Sequence, residues 1–509
     1  MTAADLLSSD FATLPDLIRR HAAERGAKVA VADDQAQVTY AELDRLMDRV
    51  AAGLQRDGVA QGSAVAIVSH PCVEQAVAFL GALRAGCVAT PVAPSATHGQ
   101  IAAMIRDSGA PLAFLDPPNA AALDGQDLTA RHVTFVAFES WLPPEDAKPE
   151  PVEIRPQDGF NIIYSSGTTG TPKGIVQSHA MRWAHIARNS ALGFADAVAM
   201  IATPLYSNTT LVTFLPTLGN GGTAVIMGKF DARRYLELAE RYRATHTMLV
   251  PVQYQRVMAL PDFDRFDLSS FRVKTCTSAP FKAELKADIL TRWPGLLIEY
   301  YGMTEGGASC GLNCNEHPDK LHTVGRPLPG HEIRLIDEEG REVAPGETGE
   351  VVGRSPTMMT GYHGRAEATR DAEWHDAEGN RYIRHGDLAR FDEDGFLILM
   401  DRKKDLIISG GYNIYPSDLE SVLVRHPAVD DATVIGMPSE AWGETPIGFY
   451  VSRTDGAAED AGAILAWFNG QVGKTQRLSA LHKIDDLPRS AIGKVLKREL
   501  RERLLGAVA

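Results

Sequence analysis

Residues 164–174 read YSSGTTGTPKG. Hydroxyls at Ser165, Ser166, Thr168, Thr169 and Thr171 stand among glycines at Gly167, Gly170 and Gly174, with a single lysine at Lys173. Glycines let backbone N–H groups turn toward an anion, hydroxyls add donors, and a lysine ammonium brings a mobile positive charge. The chemistry these types suit is phosphate binding. The spacing departs from the Walker A pattern, because Gly167 and Gly170 are too close and Lys173 is followed by Gly174, which offers no hydroxyl to magnesium. A linker of small residues is the alternative. Against it stand the apolar run FNIIY before the loop and the alanines Ala180, Ala184, Ala187 and Ala191 after it at helical spacing. The expected order is strand, glycine loop, helix.

Further stretches carry groups that serve a nucleotide. EYYGMTEGG follows an apolar run and sets Tyr301, Thr304 and Glu305 at a strand end, where open α/β sheets bind ligands. An aromatic face there stacks on a base, and a glutamate suits Mg2+, which takes one or two carboxylates and keeps waters. A purely structural turn would read the same. RHGDLAR puts Asp387 in a turn before a hairpin, fit either to accept two sugar hydroxyls or to cap the turn. Arg402 in DRKKD reaches for the same sugar or stays a solvated charge. In LPRSAIGKVLKREL, Lys494 follows a glycine and precedes a basic helix, and alone reads as a helix-start lysine.

Such groups need several elements to hold them. A chain of 509 residues exceeds one core and predicts a large, multi-lobed enzyme. The first 150 residues alternate helices and strands: TYAEL offers a capping box from Thr39 to Glu42, while SAVAIV and GCVATPV read as buried strands. The rhythm continues through GTAVIM, TMLVPV, FRVKTCTS and LLIEYYG. From about 331, HEIRLID, GEVVGRS and a hairpin LARFDEDGFLILM turned at Asp394-Gly395 predict a small antiparallel lobe. Beyond it, Pro416 opens a helix with Leu419, Val422 and Leu423 on one face, and strands follow at ATVIGM and PIGFYVSR. The expected fold class is therefore α/β. Residues 1–403 form two α/β lobes and the β lobe, and 404–509 a smaller α+β domain.

The formal charge of -14 disfavours nucleic acid or an anionic membrane as partner. Five cysteines, Cys72, Cys87, Cys276, Cys310 and Cys314, form no disulfide framework, and CGLNC lacks the second pair of a zinc ribbon. No transmembrane run appears, and MTAADLLSSDF lacks the basic flank and apolar core of a signal peptide. The expectation is a cytoplasmic monomer or homodimer without integral membrane association.

Taken in order along nearly the whole chain, YSSGTTGTPKG, YYGMTE, HGDLAR, DRKKDLIISGGYNIYPSDLE and PRSAIGK resemble the signatures of the adenylate-forming (AMP-binding) superfamily, on its acyl-CoA synthetase and aryl-CoA ligase branch. That resemblance implies ATP, Mg2+ and coenzyme A as cofactors. A carboxylate attacks the α-phosphate of ATP, pyrophosphate leaves, and a thiol takes the acyl-adenylate. By resemblance, Ser166, Thr168, Thr169 and Lys173, with Ser165 and Gly167 of the same loop, grip pyrophosphate. Tyr301 stacks on adenine, Thr304 meets the α-phosphate, Glu305 holds Mg2+, and Asp387 and Arg402 bind ribose. Lys494 is similar to the lysine that bridges the two reacting anions. The need is physical: unit charges about 4 Å apart repel by roughly 4 kcal/mol at an effective dielectric near 20, about a thousandfold in rate. Lys404 falls where the superfamily keeps its hinge, and rotation there is expected to exchange Lys494 for SGGYN. There Gly410 and Gly411, lacking Cβ atoms, admit a pantetheine arm or simply form a turn. Trp442 matches a position near that arm, with a core tryptophan as the alternative.

The same likeness predicts an acid pocket of Tyr206, Ser207, Asn208, Met248, Gln253, Ser278, Ala279 and Gly302. PLYSNTTL has Ser207 or Asn208 where aryl-CoA ligases commonly carry histidine, so the usual aromatic gate differs. Small Ser278 and Ala279 beside flexible Met248 suit an aryl or medium-chain acid better than acetate. Gln253 and Asn208 either read a polar ring substituent or are structural amides. The competing expectations are an adenylation enzyme that loads a carrier-protein thiol, a luciferase-like oxygenase, and a non-catalytic nucleotide-binding scaffold. The scaffold has no need of Lys494.

Overall fold

Thr39 and Glu42 form the capping box their spacing predicts, Thr39 accepting from Glu42 N while Glu42 reaches back to Thr39 N, and they start the helix Tyr40–Arg56. In the structure, a computed structural model, the residues described are 1–126, 128–164, 173–188, 192–409, 412–439, 442–453, 460–490 and 493–508. They divide into two units. The first is Met1–His322, Pro327–Glu332 and Gly353–Ile383, and the second is Thr323–Arg326, Ile333–Val352 and Arg384–Ala509.

Two sheets organise the first unit. One runs in the order Gly361–Tyr362, Gly174–Ser178, Gly159–Tyr164, Val88–Val92, Ala64–Val68, Leu112–Leu115, Arg131–Thr134. From Gly159–Tyr164 onward its neighbours are parallel, joined by helices such as Val73–Arg84 and His98–Ser108. Strands buried on both faces read as continuous apolar runs, as AVAIV and GFNIIY do. The other sheet sets Leu296–Met303 beside Val273–Cys276, His246–Leu249, Val198–Ile201, Thr223–Ile226 and Val29–Ala32, all parallel. Gly306–Asn313 continues it as an antiparallel hairpin on Leu296–Met303. Leu43, Val50, Phe79, Leu80, Phe214 and Leu218 lie in one core served by elements of both sheets.

One local expectation is corrected here. The glycine loop does not run directly into a helix: Gly174–Ser178 first returns as a strand antiparallel to Gly159–Tyr164, and only then does His179–Arg188 begin. The buried face of that helix carries Met181, Arg182, His185 and Ile186, while Ala180, Ala184 and Ala187 lie on its half-exposed side and Ala191 falls outside the described residues.

In the second unit the hairpin pairs residues 387–391 with Leu397–Arg402 and turns through Gly395, which has φ +79°. Asp387 therefore sits within a strand and not in the turn expected for it. The chain then forms a sheet of Ile407–Ser409, Tyr412–Ile414, Val429–Ser439 and Gly443–Ser452, with Ala480–Lys483 parallel to the last. Pro416–Leu423 and Ala461–Gln471 cover it, and Leu419 and Leu423 enter its core beside Ile464 and Phe468. The whole is α/β, a larger amino-terminal part on mainly parallel sheets followed by a smaller part rich in antiparallel pairing.

Candidate active site

The loop residues Ser165, Ser166, Gly167, Thr168 and Thr169 lie outside the described residues, as do Gly410 and Gly411. Both shoulders of the loop are described. Tyr164 donates through its hydroxyl to Asp107 Oδ2 at 2.8 Å, and Arg365 Nη2 meets the other oxygen of Asp107 at 2.9 Å. On the far shoulder, Lys173 Nζ lies 5.1 Å from the centre of the Tyr362 ring, a cation–π contact. The Tyr362 hydroxyl donates to Glu305 Oε1 at 2.9 Å. Burial first, and the Glu305 charge second, push that phenol above its ordinary range.

Thr304 and Glu305 form the turn between Leu296–Met303 and Gly306–Asn313, and Tyr301 is buried on the first of these strands. The turn is tight because Gly306 adopts φ +92°, and a Cβ there would stand 1.8 Å from Thr357 O. Met359 N donates to Glu305 O at 2.7 Å, and Gln177 Nε2 to Thr304 O at 2.7 Å. Glu305 Oε2 makes no hydrogen bond or ion pair among the described residues. One free hard oxygen fits Mg2+, which shares its shell between a carboxylate, nucleotide phosphates and water. No cluster of three metal-ligating side chains exists among the described residues.

Behind this turn lies a polar network that sequence reasoning missed. Arg182, with no exposed surface, donates from Nε to Asn161 Oδ1 at 2.9 Å, from Nη1 to Asn208 Oδ1 at 2.9 Å, and from Nη2 to Gln177 Oε1. Its partners are neutral amides, and burial lowers its pKa to about 9. The available signal was an arginine set between Met181, His185 and Ile186 on an otherwise buried helix face. Tyr362, also missed, left only a GY pair in the sequence.

The structure distinguishes the acid-pocket candidates. Ser207 caps the helix Asn208–Gly219 by accepting from Thr209 N, and Thr209 bonds the hydroxyl of Ser278. Ser278 has φ +84°, a strained value for a residue with a Cβ, of the kind that gathers at binding sites. Met248 is buried with its sulfur 3.3 Å from Thr275 Oγ1. Burial raises the pKa of the half-buried Tyr206. Ala279 is half-buried and Gly302 exposed. Gln253 behaves as the structural amide: Oε1 accepts from Val250 N at 3.1 Å and Nε2 donates to Ala202 O at 2.8 Å.

In the second unit Asp387 and Arg402 are direct cross-strand partners, Nε to Oδ1 3.1 Å. Lys404 lies in a short helical turn, Lys403–Asp405, and burial lowers its pKa. Asp401, just before it, accepts through Oδ2 from Ser417 N at 2.9 Å, while Ser417 Oγ donates to Met400 O. Trp442 is 44% exposed, which argues against a core tryptophan. Lys494 is exposed on a tight turn in which Ser490 N donates to Lys494 O at 2.8 Å and Gly493 takes φ +79°. Arg489 fastens that turn, bonding Gly493 O and Asp431.

Residues 18–363 match the family model described as AMP-binding enzyme, and residues 418–494 the one described as AMP-binding enzyme C-terminal domain. Over 478 residues the chain is 34% identical to a feruloyl-CoA synthase of Amycolatopsis sp, covering 92% of this chain and 94% of that one. It is 30% identical over 517 residues to an indoleacetate–CoA ligase of Aromatoleum aromaticum, covering 96% and 98%. The ATP-bound structure of MatB from Rhodopseudomonas palustris matches with TM-score 0.83 and 29% identity, over 97% and 99% of the two chains. The chain belongs to the AMP-binding enzyme family, the adenylate-forming superfamily that its motifs resemble. It is an acid–thiol ligase that uses ATP, Mg2+ and coenzyme A. No described helix is long and apolar enough to cross a membrane.

Proposed function

We propose that this ligase activates an aryl carboxylic acid, forming its adenylate with release of pyrophosphate and then its CoA thioester with release of AMP. The observation that carries the reading is the continuous linkage in the first unit: Lys173, Tyr362 and Glu305 join at one end, and Gln177 and Arg182 tie the Thr304 carbonyl to Asn208 at the other. Phosphate-directed and acid-directed residues are thus parts of one framework. The aromatic acids in the names of the two curated relatives support an aryl substrate over a medium-chain one, and CoA in both names weighs against carrier loading.

In this reading Lys173 and the loop hydroxyls take the leaving phosphates, Tyr301 stacks on adenine, and Thr304 meets the α-phosphate. Glu305 would hold Mg2+, which neutralises phosphate charge when bound. The Asp387–Arg402 pair presents a carboxylate oxygen and a guanidinium to ribose. Lys494 brings the acid and the α-phosphate together by cancelling their repulsion. Asn208, Ser278, Ala279, Met248, Tyr206, Ser207 and Gly302 shape the acid pocket, with Gln253 bracing its wall. A terminal domain 404–509 turns about Lys404 between the half-reactions, bringing Gly410, Gly411 and Trp442 to the pantetheine arm. The protein works in the cytoplasm as a monomer or homodimer.

The test is pyrophosphate release from ATP and Mg2+ with benzoates, hydroxycinnamates, indole- and phenylacetate and fatty acids, each with CoA, with a carrier-protein thiol, or with neither. CoA-dependent turnover confined to aryl acids is expected. Adenylate formation with thioester only on the carrier would overturn the CoA assignment, and turnover confined to fatty acids would overturn the aryl one.

A further inference from the structure

The segment Gly361–Arg365 holds the phosphate loop at both ends. Gly361–Tyr362 is a strand paired antiparallel with Gly174–Ser178, the strand leaving the loop, with Tyr362 opposite Ile175. This pairing sets the Tyr362 ring beside Lys173, whose Nζ is 5.1 Å from its centre. The phenol reaches in another direction, to Glu305 Oε1 at 2.9 Å. Tyr362 N is itself held by Thr369 Oγ1 at 2.9 Å, and the ring packs on the small core of Ile175, Met359 and Ile383. Three residues on, Arg365 grips Asp107, which holds the hydroxyl of Tyr164 on the other shoulder of the loop.

We infer that Tyr362 is a positioning residue that keeps the phosphate lysine Lys173 and the metal carboxylate Glu305 apart yet mutually aligned; this rests on the roles proposed above for those two. An ammonium and a carboxylate in one small site tend to pair with each other, and a pair so formed withholds both from the nucleotide. Among the described residues neither Lys173 nor Glu305 makes an ion pair. The aromatic face holds the ammonium without neutralising it, since cation–π attraction is worth only about 0.5–2 kcal/mol. The phenol occupies one oxygen of Glu305 and fixes the carboxylate plane, leaving Oε2 for a cation. Hydrogen bonds of this kind to a metal-binding carboxylate are worth about 10–100-fold in metal affinity.

The two parts of the side chain separate by substitution. Tyr362→Phe keeps the ring and loses the phenol, so the Mg2+ enhancement of ATP binding, read by titration calorimetry on enzyme without acid or CoA, is expected to fall about 10–100-fold. Its metal-free ATP affinity is expected to stay as in the unaltered enzyme. Tyr362→Leu loses the ring as well and lets Lys173 collapse onto Glu305, so metal-free ATP affinity drops too, and Glu305→Gln in that background restores it. Far-UV circular dichroism and a single cooperative thermal transition in both variants report that the fold is retained. A Tyr362→Phe enzyme with unchanged Mg2+ enhancement, or a Tyr362→Leu enzyme with unchanged metal-free affinity, overturns the inference. If unaltered enzyme shows no Mg2+-dependent ATP binding, or Glu305→Gln retains all of it, the underlying role of Glu305 fails instead.

Discussion

Replacing Gly306 by alanine asks how closely the Thr304–Glu305 turn must be held. Two costs act at this position. Alanine at φ +92° carries backbone strain of about 1–3 kcal/mol. Its Cβ would also stand 1.8 Å from Thr357 O, and since real Cβ contacts stop near 3.0 Å, that carbonyl must retreat by about 1.2 Å. The obstacle is backbone, so no rotamer change relieves it. The retreat drags Met359, whose N–H holds the Glu305 carbonyl at 2.7 Å, and with it the turn that presents Glu305. A displacement of about 1 Å at reacting groups costs about a hundredfold in rate, close to 3 kcal/mol of barrier. Gly330→Ala is the matched control, because Gly330 has φ +76° with nothing within 4 Å of a built Cβ and therefore carries only the strain. Both variants are expected to lose Tm, Gly306→Ala more, and only Gly306→Ala to lose adenylation, read as exchange of labelled pyrophosphate into ATP. Equal exchange rates in the two variants would refute the reasoning.

Lys494→Ala is expected to lower adenylate formation about a thousandfold while sparing thioester formation from supplied acyl-adenylate, because the repulsion it relieves belongs to the first half-reaction alone; equal loss in both halves would remove that role. Arg182→Met deprives the half-buried Asn208 and the fully buried Asn161 of a donor, the orphaned buried acceptor of Asn161 costing about 1–3 kcal/mol. It should lower Tm and raise KM for the acid about tenfold or more, and an unchanged acid KM would detach the network from the pocket. His179 and His385 are buried and pushed down to about 4 by desolvation, against 6.5 in the unfolded chain. Between those values the unfolded chain binds protons that the folded chain refuses, so stability is full above pH 6.5 and declines as pH falls toward 4. Thermal melts from pH 7 to 5 should show Tm falling, and replacing both histidines by glutamine should lessen the fall without abolishing it, because His185 and His331 are pushed down by burial too.

Local signals were legible where local forces decide. The Thr39–Glu42 box, the buried strand GFNIIY and the helix opened by Pro416 all depend on residues close in sequence, and all occur. The alanines at helical spacing announced the helix His179–Arg188 but not its buried face, because the burial of Arg182 is fixed by partners on two strands and another helix. Asp387 looked like a turn residue from its neighbours His385 and Gly386, yet pairing with Leu397–Arg402 draws it into a strand opposite Arg402. Tyr362 could not be found by spacing, since Glu305 lies 57 positions away and Lys173 in a different motif. Both missed residues act between motifs, and motifs were what the sequence displayed.

Asp401 and Ser417 lie on opposite sides of Lys404, and the carboxylate of the one serves the first turn of the helix that begins at Pro416. Tyr415, in the usual capping place, makes no side-chain cap bond, so Asp401 does from a strand what a cap normally does from its own helix. The rotation proposed about Lys404 therefore uncaps a helix each time it occurs. An N-cap is worth about 0.5–2 kcal/mol, a factor of about 2 to 30 in population. A catch of that strength biases the resting pose without locking it, and part of the enzyme's timing then rests on a hydrogen bond that no substrate touches.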